Sequence, residues 1–90
     1  MKTLHILIKG NVHGVGYRAY AEHYAKKLSI YGVVKNLPNG SVEIYAQGEP
    51  EALNSFTQKI KEGPGLAKVE HVSVEECQKQ KKYNSFQILF

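Results

Sequence analysis

Leu37-Pro38-Asn39-Gly40 constrains the fold of this chain more than any other four residues. Asn-Gly accepts the positive φ values of a tight hairpin turn at little cost. On its N-terminal side, Val33, Val34 and Leu37 read as a strand. On its C-terminal side, Val42, Ile44 and Ala46 alternate with Glu43 and Tyr45. A period of two marks a strand with one face covered. The turn therefore predicts two neighbouring antiparallel strands in the middle of the chain.

The flanking segments fall into place around that hairpin. Leu4, Ile6 and Ile8 alternate with His5, Leu7 and Lys9, and Leu7 adds apolar character to the second face. This pattern predicts a central strand. Ala21, Tyr24, Ala25 and Leu28 recur at helical spacing, with Glu22, His23, Lys26 and Lys27 opposite. Ser29 to Gly32 ends that helix. Pro50, at its favoured first position, opens a second helix with a buried stripe of Leu53, Phe56 and Ile60. Gly63-Pro64-Gly65 stops it. Val69, Val72 and Val74 belong to a fourth strand, and Lys79 to Asn84 reads as a polar, solvated loop. Ser85 to Phe90 is a short closing strand with Phe86, Ile88 and Phe90 on one face. The order is β-α-β-β-α-β plus a C-terminal strand. It predicts an α+β fold: a ferredoxin-like split β-α-β sandwich with two helices on one face of an antiparallel sheet. With no linker, repeat or low-complexity block, residues 1–90 read as a single domain.

Composition narrows the class of protein. Apolar residues make up 42% and charged residues 22% of the chain, as in a folding domain. The net charge of +4 attracts phosphates, nucleic acids and anionic surfaces without choosing among them. Cys77 is the single cysteine, so no internal disulfide forms. The apolar stretch near the N-terminus is interrupted by His5 and Lys9 and reads as a strand rather than a signal peptide. No apolar run approaches the roughly 20 residues that span a bilayer. The expectation is a soluble cytoplasmic protein. His5, His13, His23 and His71 have no helical i, i+4 pair, and Cys77 completes no zinc pattern, so no metal site is expected.

Gly10-Asn11-Val12-His13-Gly14-Val15-Gly16-Tyr17-Arg18 joins the first strand to the first helix. First-turn N–H groups of a helix have no internal acceptor, and the helix dipole adds positive potential there. Glycines allow the backbone to curl around an anion, and an arginine adds a planar charged fork. Gly14, Gly16 and Arg18 therefore form a coherent anion site. The same residues also admit a plainer reading as a glycine-rich turn followed by a surface arginine. The loop lacks the Gly-Lys-Ser/Thr ending of a Walker loop and the second β-α unit of a dinucleotide fold. Asn36 is the second unusual residue, because asparagine is depleted in strands. It fits either the start of the turn or a neutral amide that holds a water.

Together these stretches resemble the acylphosphatase family over nearly the whole chain. Residues 10–18 are similar to its signature Gly-x-Val-Gln-Gly-Val-x-Phe-Arg. Gly32-Val33-Val34-Lys35-Asn36, followed by Gly40-Ser41-Val42-Glu43, is similar to Gly-Trp-Val-Arg-Asn and Gly-x-Val-Glu. Gly48, the run from Gly63 to Val69 and Phe86-Gln87-Ile88 echo further family features. His13, Tyr17, Val33 and Lys35 depart from the commoner glutamine, phenylalanine, tryptophan and arginine. The resemblance implies hydrolysis of acyl phosphates to a carboxylate and inorganic phosphate, with no metal or organic cofactor. By position, Arg18 and the backbone amides of His13, Gly14, Val15, Gly16, Tyr17 and Arg18 would bind the phosphoryl group. Asn36 would position the attacking water. Inorganic phosphate would be product and competitive inhibitor, and the expected state is a monomer.

Two other readings start from the same residues. The RNA-recognition fold shares this topology, but its aromatic signature is missing and Glu43 falls where phosphate contacts would be wanted. A nucleic-acid partner is therefore not expected. The remaining alternative is a binding module of the kind found inside larger proteins. The 90-residue length points instead to a standalone enzyme.

Overall fold

The computed structural model describes residues 1–78 and 81–90. Strand β1 (Lys2–Asn11) leads to helix α1 (Tyr17–Lys27), and β2 (Tyr31–Asn36) pairs through the Asn39-Gly40 turn with β3 (Val42–Gly48). Helix α2 (Pro50–Glu62), β4 (Lys68–Cys77) and β5 (Phe86–Leu89) follow. The five strands form one sheet in the order β4-β1-β3-β2-β5. Lys79 and Gln80, part of the polar loop expected from the sequence, lie outside the described residues.

The local signals act as expected from their chemistry. Pro50 sits at the start of α2, where its missing N–H costs nothing. The Gly63 N–H closes the helix on the Lys59 carbonyl at 3.0 Å. Ile6, Ile8, Val34 and Ile44 of the sheet and Ala21, Ala25, Phe56 and Ile60 of the helices are fully buried against one another. The two alanines let α1 lie close to the sheet. Among the described residues, no helix is long and apolar enough to cross a membrane.

The sheet differs from the expected all-antiparallel one at its edge. β4, β1, β3 and β2 are antiparallel neighbours, but β5 runs parallel to β2. The register explains why. β4 ends at Cys77 beside Thr3, and Thr3 pairs with Gln47, which pairs with Tyr31 at the start of β2. The chain thus leaves β4 at the end of the sheet where β2 begins, and β5 must run the same way as β2. Buried Gln47 supports the crossing: its amide donates to Thr3 Oγ1 (3.1 Å) and to the Lys81 carbonyl (3.0 Å), and it accepts from the Tyr83 N–H (3.2 Å).

The first turn of α1 is tied to the last turn of α2. The Tyr17 hydroxyl donates to the Ile60 carbonyl, and the Tyr20 hydroxyl to the Lys59 carbonyl at 2.7 Å. Both carbonyls lie in the last helical turn, where intrahelical donors run out; the Lys59 carbonyl also accepts from Gly63 N–H. Burial, with Tyr20 adding, pushes the Tyr17 hydroxyl well above its ordinary range. Tyr17→Phe leaves a buried carbonyl without its donor and should lower stability by about 1–2 kcal/mol in urea unfolding. The unfolded chain ionises a tyrosine near pH 10, whereas the native Tyr17 keeps its proton. The contribution is therefore complete below that pH and lost as pH rises toward the native value. The stability gap between the native chain and the variant should shrink above pH 10.

Candidate active site

Residues 12–16 connect β1 to α1, strung between two side chains that are 1% exposed, Val12 and Tyr17. Between these anchors Gly14 (φ 70°) and Gly16 (φ 76°, ψ 20°) are left-handed, while Val15 is not. A Cβ on either glycine would meet nothing within 4 Å. The demand for glycine is therefore conformational, since an L-residue in this region costs roughly 1–2 kcal/mol. Left-handed residues in alternation curl the backbone into an anion-binding nest.

Gly16 is the residue before α1, and among the described residues no side chain caps this helix. Its carbonyl accepts from Tyr20 N–H (3.0 Å), which leaves the amides of Tyr17, Arg18 and Ala19 without helical acceptors. Gly14, Gly16, Arg18, Ala19 and Asn36 line one cavity of about 270 Å³ with its apolar wall of Val12, Ile88 and Phe90. The Arg18 Nη1 donates to the Leu89 carbonyl at 3.1 Å, and its guanidinium lies 4.8 Å from the centre of the Phe90 ring. One donor and one face of the fork are thus engaged. Among the described residues no carboxylate lies within ion-pair distance of Arg18, so its charge is available to an anion.

Asn36 ends β2 opposite Val42. Its Oδ1 is buried, and among the described residues it has no hydrogen-bond partner. An unsatisfied buried acceptor costs about 1–3 kcal/mol. Such a group, at the wall of a cavity, is suited to holding a water.

The structure brings Gly14, Gly16, Tyr17, Arg18 and Asn36 of the sequence candidates to this cavity. His13 and Val15 do not line it. Val15 packs against the core. His13 Nε2 lies 2.8 Å from the Ser41 carbonyl, so that nitrogen carries the proton and donates. The same carbonyl accepts from Leu37 N–H at 2.8 Å. The His13 ring therefore fastens the loop to the hairpin that carries Asn36. Sequence reasoning missed Ala19 and the end of the closing strand. Phe86 is buried and Ile88 partly so, but Phe90 falls beyond β5 and is fully exposed. The alternation of Phe86, Ile88 and Phe90 identified their shared face but not where the core beneath it ends.

The fold and the cavity define a small α+β protein with an anion loop at a strand-to-helix junction. The acylphosphatase family profile matches residues 4–88. An acylphosphatase of Thermus thermophilus is 49% identical over 75 residues, covering 83% of this chain and 85% of its own length. One of Archaeoglobus fulgidus is 43% identical over 90 residues and the whole of both chains. The crystal structure of the acylphosphatase from Bacillus subtilis superposes with a TM-score of 0.96 at 37% identity, again over the whole of both chains. This chain belongs to the acylphosphatase family.

The brace between His13 and Ser41 can be tested without any reaction. His13→Ala should weaken binding of inorganic phosphate several-fold, measured by calorimetry, and lower stability by about 1 kcal/mol. His13→Gln, whose amide can also donate, should recover most of both.

Proposed function

We propose that this chain, acting as one domain over residues 1–90, is an enzyme that hydrolyses acyl phosphates to a carboxylate and inorganic phosphate. The observation that carries the reading is the unpaired, buried Asn36 Oδ1 in the same cavity as Arg18 and the Gly14–Gly16 loop. Membership of a family whose relatives bear the name acylphosphatase supports it.

In this mechanism the phosphoryl oxygens lie against the loop amides, those of His13 to Arg18 together with Ala19, and against the free donors of Arg18. Asn36 Oδ1 accepts a hydrogen bond from a water and aims its lone pair at phosphorus. The new P–O bond forms as the bond from phosphorus to the acyl oxygen breaks, and the carboxylate leaves with that electron pair. A carboxylate is stable without protonation, so no general acid is needed at the leaving oxygen. The water's proton passes to a phosphoryl oxygen. Charge and orientation stabilise a transition state of this kind, and no metal or organic cofactor takes part. Inorganic phosphate, the product, competes for the same site. The enzyme works as a cytoplasmic monomer, which suits a chain whose single cysteine forms no internal disulfide.

Turnover of benzoyl phosphate in the presence of a chelator tests the reading directly. Arg18→Ala should lose a desolvated, charge-assisted contact worth at least ~3 kcal/mol, about a hundredfold or more in rate. It should also weaken inhibition by phosphate. Arg18→Lys should recover little, because the fork geometry is lost.

Asn36→Ala should lower kcat by about tenfold or more while phosphate inhibition stays close to native. A folded Asn36→Ala protein with native kcat would remove the asparagine from the mechanism.

A further inference from the structure

The cavity has two kinds of wall. One is polar: the curled loop, the Arg18 guanidinium and the Asn36 amide. The other is apolar and is formed by Val12, Ile88 and Phe90. Val12 is an anchor buried in the core, and Ile88 is partly buried against it. Phe90 is different, because it is fully exposed and packs into no core. What holds it is the guanidinium 4.8 Å from its ring centre and the Leu89 carbonyl bound to the same arginine. A cation covers one face of an aromatic ring and leaves the other free for stacking.

We propose that Phe90, backed by Ile88, is the acyl-group subsite of this cavity and that it selects acyl phosphates with aromatic or similarly bulky apolar acyl groups. The proposal rests on the acyl phosphate hydrolysis argued above. A phosphoryl group held on the loop uses the polar wall. Its acyl substituent, one bridging oxygen away, must then project past that wall toward the mouth of the cavity. There the open face of the Phe90 ring offers contact area to a planar or branched apolar group. An acetyl methyl group is too small to cover it. Discrimination arises from apolar area removed from water on both surfaces.

The experiment compares kcat/KM for benzoyl phosphate and acetyl phosphate in the native chain, Phe90→Ala and Phe90→Tyr. The native chain should favour benzoyl phosphate. In Phe90→Ala the benzoyl-to-acetyl ratio should fall about tenfold, chiefly through KM for benzoyl phosphate. Phe90→Tyr keeps the ring and should keep the ratio. Loss of the ring also removes a contact to Arg18, but both substrates share that effect and the ratio cancels it. Hydrolysis of both substrates with an unchanged ratio in Phe90→Ala would overturn the subsite alone. Hydrolysis of neither by the native chain would overturn the hydrolytic reading and the subsite with it.

Discussion

Among the described residues, helix α1 begins without a side-chain cap. A helix start of this kind leaves several N–H groups unpaired, and most sequences answer that with Ser, Thr, Asp or Asn. Here the position is Gly16, in a left-handed conformation that turns the backbone rather than a side chain toward the helix end. A serine hydroxyl there would compete for the donors that an incoming anion needs. The uncapped start is stable because it is fastened elsewhere. Tyr17 and Tyr20, on the first turn, reach across to the carbonyls that end α2. The end of α2 gains donors, and the start of α1 is fixed in position without use of its own amides.

The same division of labour runs through the rest of the cavity. Each group around it is held by a bond made on its far side. His13 ties the loop to Ser41, and the Ser41 carbonyl is already part of the turn that ends β2. Arg18 gives one donor to Leu89 and one face to Phe90. Asn36 is held by its place in β2, between β3 and β5, and its Oδ1 makes no bond among the described residues. Fixed groups with unused hydrogen-bonding capacity are what electrostatic preorganisation requires, because little reorientation remains when a charged ligand arrives.

Much of this arrangement was legible in the sequence, for local reasons. Pro50, the Asn39-Gly40 turn and the stripes Ala21–Ala25 and Leu53–Phe56–Ile60 report their own backbone conformation, and the observed elements follow them closely. The glycine loop was visible because left-handed residues need a recognisable residue type. What escaped depends on chain segments far apart in sequence. The direction of β5 follows from where β4 ends, and no residue within 86–89 encodes it. The acceptor of His13 lies 28 residues away, and the carbonyl beneath Arg18 lies 71 residues away. Asn36 was conspicuous as a polar residue in a strand, but the burial of its Oδ1 without a partner among the described residues is a property of the assembled sheet.

The side chains that line the cavity also bear on the kind of chemistry it suits. Among the described residues they are an arginine, an asparagine, Tyr17 and apolar groups, with no carboxylate, imidazole or thiol side chain. The hydroxyls that burial pushes upward, those of Tyr17 and Tyr20, are both committed to carbonyls of α2. A site of this composition offers charge, oriented dipoles and a place for water, and it offers no group tuned to move a proton. It is therefore matched to a bond whose leaving group departs without being protonated. A phosphate monoester, which leaves as an alkoxide, would need an acid that this cavity does not provide. A carboxyl–phosphate anhydride needs none.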